Sequence, residues 1–78
     1  MLNYESFKQE MEKEGHNVHK NGLYITIEPN NNLNGTGKGF YSAWDLIDDK
    51  YYDELKFVKM DNFNTFIYSA KFRILKQF

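Results

Sequence analysis

The sequence HNVHK-NG-LYITI, residues 16–27, decides the fold. Its two short segments flank Asn21-Gly22, the preferred pair for a type I′ hairpin turn, in which both central residues take positive φ. A two-residue loop at this point pairs Val18 with Ile25 on opposite strands. Because side chains alternate along a strand, one face then carries the apolar residues Val18, Leu23, Ile25 and Ile27. The stretch predicts an antiparallel hairpin with one core-facing side.

A helix is predicted before this hairpin, over residues 4–14. Tyr4, Phe7 and Met11 recur at i, i+3 and i+7, which places them on one helical stripe. Asn3 is a predicted N-cap, and Gly15 is a predicted C′ residue because glycine adopts the left-handed conformation there.

A second helix is predicted over residues 43–52, after a glycine- and asparagine-rich surface loop at residues 30–39. Ser42 is its predicted N-cap. The predicted apolar stripe consists of Trp44, Ile47 and Tyr51, again at i, i+3 and i+7.

The C-terminal third changes to a period of two. Residues 65–74 alternate, with Phe66, Tyr68, Ala70, Phe72 and Ile74 on the predicted core face. A helical alternative places Phe63, Ile67, Ala70 and Ile74 on one stripe. A shorter strand around residues 55–57 and a turn at residues 61–64 precede this segment.

These elements predict a single small α+β domain over residues 1–78, in the order α-β-β-loop-α-β-β. Two hairpins most simply form a four-stranded antiparallel sheet with both helices packed on one face. Cysteine is absent, so disulfides contribute nothing, and thirteen Phe and Tyr residues with one Trp supply the apolar surface instead. No signal peptide or membrane span is expected, and the absence of cysteine fits a cytoplasmic location.

The second helix carries the most unusual charge pattern. At 100° per residue, five residues fall on the side opposite the apolar stripe: Asp45, Asp48, Asp49, Tyr52 and Asp53. Like charges at i, i+4 repel on a helix. A basic partner would explain why this acidic row is tolerated, and a solvated, solubility-conferring face is the ordinary alternative. These five residues are the predicted partner-binding site.

Basic residues instead concentrate near the C-terminus. Lys71 and Arg73 share the outward face of the last predicted strand, and Lys56 is expected beside them. Basic side chains interleaved with aromatics on a sheet bind single-stranded nucleic acid. Lysine also protects exposed sheet edges from pairing, which is its commoner use. The formal net charge of −1 counts against a dedicated phosphate binder.

No catalytic, cofactor or metal residues are predicted. Residues 35–39 read GTGKG, which lacks the Ser/Thr and the helix start that a phosphate-binding P-loop requires. His16 and His19 lie three apart on a strand, so they diverge and form no metal site with Glu12 or Glu14. Both are expected on the hairpin surface, one of them stacked on Tyr24.

The sequence therefore predicts a non-enzymatic interaction module. Nine lysines, nine asparagines and only two alanines are typical of low-GC bacteria, their phages and mobile elements. The most concrete hypothesis is an anti-CRISPR-type inhibitor whose acidic helix face binds a larger host protein with a basic surface. The alternative is a small nucleic-acid-binding domain that uses Lys56, Lys71 and Arg73. A homodimer is compatible with either.

Overall fold

Two helices and two hairpins alternate in the predicted order α-β-β-α-β-β. The computed structural model describes residues 3–30, 39–63 and 66–76, so most of the predicted loop at residues 30–39, including the glycine-rich GTGK run at 35–38, lies outside the described residues. The elements are α1 (Tyr4–Lys13), β1 (Asn17–Asn21), β2 (Tyr24–Glu28), α2 (Gly39–Lys50), β3 (Leu55–Phe63) and β4 (Phe66–Ile74). The sheet is antiparallel with the strand order β1-β2-β4-β3, which makes β2 and β4 central.

Helix α1 begins and ends by local rules that its sequence predicted. The Asn3 side chain accepts a hydrogen bond from the Ser6 amide at 2.9 Å, and the Ser6 hydroxyl accepts one from the Asn3 amide, which completes a capping box. At the other end Gly15 has φ 86°, and the His16 amide bonds the Met11 carbonyl at 3.1 Å. This Schellman ending turns the chain directly into β1.

The first hairpin forms, but its turn lies one residue further along than predicted. The two loop residues are Gly22 and Leu23, so Val18 lies opposite Ile27 and not opposite Ile25. Gly22 has φ 63°, and both preferred hairpin turns need positive φ at this first loop position. The slip moves each partner by two residues, so the faces are preserved, and only Leu23 leaves the predicted apolar face for solvent.

The core lies between the sheet and both helices, as predicted. Helices α1 and α2 contribute one side of it, and all four strands contribute the other. Its buried members are Phe7, Met11, Val18, Ile25, Ile27, Ala43, Ile47, Tyr51, Leu55, Ala70 and Phe72. Both helices contact the same side of the sheet, and neither of them covers the opposite side.

The second hairpin is a strand pair with two register shifts, and the helical alternative for its last segment is wrong. Val58 on β3 and Tyr68 on β4 each stand as an extra residue in the ladder. A bulge reverses the alternation beyond it. Tyr68 is therefore exposed, against its predicted place on the core face, while Ile67 packs against the core. The turn predicted at residues 61–64 is also wrong in part, because β3 continues to Phe63.

Helix α2 begins at Gly39, three residues before its predicted N-cap, and ends at Lys50. Ser42 is thus an interior helical residue. The expectation that no helix starts at the GTGKG run is also wrong, although position 39 is Gly where a P-loop requires Ser or Thr. Of the predicted stripe, Ile47 and Tyr51 are buried, and Trp44 is partly buried against the core.

Candidate functional site

The five residues of the predicted partner site do not form one helical face. Asp45, Asp48 and Asp49 are exposed on α2, whereas Tyr52 and Asp53 are exposed in the turn that follows it. The helical period had been extended past Lys50, where α2 ends. The structure consequently divides the five residues between two concave surfaces, one on each side of α2.

The first surface is an acidic cleft between α1 and α2. The cleft has a volume of about 480 Å³. It is lined by Asp45 and Asp49 from α2 and by Glu10, Lys13 and Glu14 from α1. Four carboxylates thus face a single lysine in this cleft.

Lys50, the lysine of α2, forms its ion pair with α1 and not with the aspartates of its own helix. The Lys50 ammonium donates to Glu10 Oε2 at 2.9 Å, and the buried Tyr51 hydroxyl donates to Glu10 Oε1 at 2.7 Å. These two hydrogen bonds, first that from Tyr51 and then that from Lys50, hold the pKa of Glu10 below its usual value of 4.5. Phe7 packs edge-on against Tyr51 with ring centres 4.9 Å apart. The Lys50–Glu10 ion pair joins α1 to α2, and among the described residues neither Asp45 nor Asp49 forms an ion pair.

The second surface, which we call the aromatic groove, lies between α2 and β3. Trp44 contacts Phe57 and Phe72 with ring centres 5.4 and 5.9 Å apart. The groove encloses 360 Å³, and its lining residues are Trp44, Ile47, Asp48, Tyr52, Asp53, Leu55, Lys56, Phe57, Phe72 and Leu75. Sequence reasoning predicted Asp48, Tyr52 and Asp53 as site residues but missed the rest of this groove. The periodicity of Trp44 predicted only core packing, and no local signal connects α2 with Leu75.

Several groove residues expose large apolar surfaces. Tyr52 is 73% exposed, Leu75 53% and Phe57 38%. Asp48 and Asp53 lie beside them. The groove therefore has an apolar floor, with Asp48, Asp53 and Lys56 at its border. In protein interfaces, rings provide anchors and charges at the rim provide orientation.

The three predicted basic residues come together on the side of the sheet that faces away from both helices. Lys56 lies directly opposite Arg73, and Lys59 directly opposite Lys71. The Tyr24 ring lies on the same side, with the Lys71 ammonium 5.0 Å from its centre. We call these five residues the basic sheet face. Lys59 was not predicted to belong to it, because the bulge at Val58 brings it to this side.

Charge is therefore segregated between the two layers of the fold. Nine of the eleven acidic residues lie on α1, on α2 or in the turns after them: Glu5, Glu10, Glu12, Glu14, Asp45, Asp48, Asp49, Asp53 and Glu54. Six of the ten basic residues lie on the strands or just after β4: Lys20, Lys56, Lys59, Lys71, Arg73 and Lys76. The net charge of −1 conceals this separation.

The two histidines differ from the surface pair that the sequence predicted. His19 is exposed and contacts Glu28 at 2.8 Å, and the ring contact of Tyr24 is with Lys71 instead. His16 is buried. Its Nδ1 accepts from the Asn30 amide at 2.9 Å, so the neutral ring carries its proton on Nε2, which donates to the Ser42 hydroxyl at 2.9 Å. Burial lowers the pKa of His16 below 6.5, partly opposed by Glu14.

Within residues 3–30, 39–63 and 66–76, no group of three or more His, Asp or Glu side chains is arranged to hold a metal ion. No helix among the described residues is long and apolar enough to cross a membrane. No family model, curated protein or solved structure matches this chain.

Proposed function

We propose that this protein is a non-enzymatic protein-binding module whose aromatic groove receives a basic, amphipathic segment of a larger partner. The observation that carries the proposal is the exposure of Tyr52, Phe57 and Leu75 beside Asp48 and Asp53. Rings and aliphatic side chains left in water at a concave site gain the most from a partner that covers them.

The charges favour a basic partner over a neutral one. Asp48 and Asp53 border the groove itself, so their carboxylates would lie next to the bound segment. Asp45 and Asp49 lie on the other side of α2, in the acidic cleft. At that position they act at longer range, by attracting a basic surface and raising its association rate.

In its most specific form, the proposal makes the protein an inhibitor from a phage or mobile element, of the anti-CRISPR type. Proteins that handle nucleic acid carry basic grooves, and an acidic protein surface competes for such a groove by charge complementarity. The low-GC composition supports this origin. The partner would then be a host nuclease or another defence protein.

The test compares double variants that change the charge equally at the two acidic surfaces. Immobilised wild-type protein, Asp48→Asn/Asp53→Asn and Asp45→Asn/Asp49→Asn are each exposed to lysate of a low-GC bacterium, and captured proteins are identified by mass spectrometry. Tyr52→Ala is compared with Tyr41→Ala, because Tyr41 is an exposed tyrosine of α2 that does not line the groove. Affinity and association rate are then measured with the purified partner.

We expect Tyr52→Ala to weaken binding by about 2 kcal/mol or more, as for an interface anchor, and Tyr41→Ala to leave it unchanged. The Asp48/Asp53 variant should lose more affinity than the Asp45/Asp49 variant, which should mainly lose association rate. Equal losses from the two double variants, with no effect of Tyr52→Ala, would refute the groove as the binding site. Inhibition of the captured partner's nuclease activity tests the specific form.

A further inference from the structure

The basic sheet face carries four cations that repel one another. Lys56 faces Arg73, and Lys59 faces Lys71, at directly opposed positions of β3 and β4. Like charges directly opposite each other destabilise a sheet. Within the part of the chain that the structure describes, none of the four forms an ion pair with a carboxylate; the two ion pairs there are His19–Glu28 and Lys50–Glu10.

Carboxylates on this side of the sheet lie toward one end of it. Glu28 contacts His19, and Asp61 accepts a hydrogen bond from the Ser69 hydroxyl at 3.2 Å. Asp61 does border the shallow concavity that contains Lys59 and Lys71. The row that contains Lys56 and Arg73 lies at the opposite end, so positive charge is concentrated away from both carboxylates.

An aromatic ring continues the cationic row. Tyr24 lies opposite Arg73, which in turn lies opposite Lys56, so one row crosses three strands. The next row consists of Thr26, Lys71 and Lys59, about 7 Å further along the strands. Tyr24 is 39% exposed, and the Lys71 ammonium lies near its ring. Because this ammonium lies over the ring, 5.0 Å from its centre, a base that stacks on that face displaces it, and the ammonium can then contact the phosphate of the same nucleotide.

We propose that the basic sheet face binds single-stranded nucleic acid, with Lys56, Lys59, Lys71 and Arg73 contacting phosphates and Tyr24 stacking on a base. A cationic surface with an exposed ring is the arrangement by which sheets hold single strands without reading sequence. An acidic protein segment would use the cations but has no need of the ring. The aromatic groove lies on the helix side of the sheet, and Lys56, on the edge strand β3, borders both surfaces.

The test uses fluorescence anisotropy of a labelled oligothymidylate with the full chain, at several salt concentrations. Four phosphate contacts predict a slope of log K against log[salt] of about −2.8, and Lys59→Gln/Arg73→Gln, which leaves the groove lining unchanged, should reduce it to about −1.4. Lys8→Gln/Lys13→Gln on α1 removes the same charge elsewhere and should leave the slope unchanged. Circular dichroism verifies that each variant folds. We expect the sheet-face variant to fold, because it removes repulsion between opposed cations.

Substitution of Tyr24 distinguishes binding of nucleic acid from binding of an acidic protein segment. Tyr24→Leu should weaken oligonucleotide binding about fivefold to a hundredfold without changing the salt slope, whereas Tyr41→Leu should not. The Asp48→Asn/Asp53→Asn variant should still bind, so failure here is distinguishable from failure of the proposed groove. Absence of binding at low salt would overturn the proposal. So would equal competition by polyglutamate with no effect of Tyr24→Leu, or self-association through this face measured by sedimentation.

Discussion

Lowering the pH from about 7.5 to about 5 is expected to destabilise the protein through protonation of His16. The buried ring joins the end of β2 to α2, because its Nδ1 accepts from the Asn30 amide while its Nε2 donates to Ser42. A proton added to Nδ1 would place two donors against each other. Because burial depresses the pKa of His16 in the fold, the unfolded chain binds this proton first, below pH 6.5.

The sign and size of this pH effect on stability follow from the difference between the pKa of His16 in the folded and the unfolded chain. The contribution of His16 is complete above pH 6.5 and is lost as the pH falls toward the lowered pKa, with a slope of at most about 1.4 kcal/mol per pH unit. The substitution His16→Leu removes both hydrogen bonds of the buried ring, at a cost of about 2–4 kcal/mol at pH 7.5. Urea unfolding between pH 7.5 and 5 measures both quantities.

His19→Leu is the matched control, because His19 lies on the surface and contacts only Glu28 among the described hydrogen bonds. Wild type and His19→Leu should lose stability below pH 6.5, and His16→Leu should start lower but change little over that interval. Glu10, whose lowered pKa stabilises the fold above about 4.5, adds its own loss only below the interval. A wild-type slope that persists in His16→Leu would refute the assignment.

Three further substitutions test the packing and the turn by urea unfolding. Tyr51→Phe removes the donor to Glu10 and should cost about 1.5–3 kcal/mol at pH 7. Because the pKa of Glu10 rises in this variant, it should lose less further stability than wild type below pH 4.5. An equal loss of stability below pH 4.5 in the two proteins would contradict this. Gly22→Val should cost about 1–3 kcal/mol through φ alone, since nothing lies within 4 Å of an added Cβ, and Gly22→Asn should cost less; equal losses would point to another cause. Trp44→Ala should cost about 3 kcal/mol, the low end for an indole because it is only partly buried; full stability with lost partner binding would make it an interface anchor.

The sequence predicted most reliably those features that a few neighbouring residues determine. The Asn3 cap and the Gly15 ending of α1 depend on hydrogen bonds within one turn of helix. The first hairpin shows the limit of such rules. Its turn slipped by one residue, yet its faces were correct, because a slip that retains a two-residue loop moves every partner by two.

Features that depend on contacts between residues distant in the chain could not be predicted from the sequence. The bulges at Val58 and Tyr68 are features of the pairing between β3 and β4, and simple alternation within one strand cannot reveal them. His16 was assigned to the surface although the glycine before it ends α1 and turns the next residue inward. The aromatic groove needs Phe57 and Leu75 to meet α2, which only the tertiary fold brings about.

The net charge was a poor guide to the candidate sites, because it does not show where the charges lie in the fold. A value of −1 counts against phosphate binding only if charge is spread evenly, and here the acidic helices and the basic sheet face lie in different layers. Asp48→Asn/Asp53→Asn and Lys59→Gln/Arg73→Gln shift the net charge by the same amount in opposite directions. If binding followed overall charge, each double variant would alter both oligonucleotide and protein binding. Because charges more than a Debye length apart are largely screened at about 0.15 M salt, each should instead alter mainly the ligand of its own surface. Measuring both ligands with both variants therefore decides whether the two layers act as separate sites.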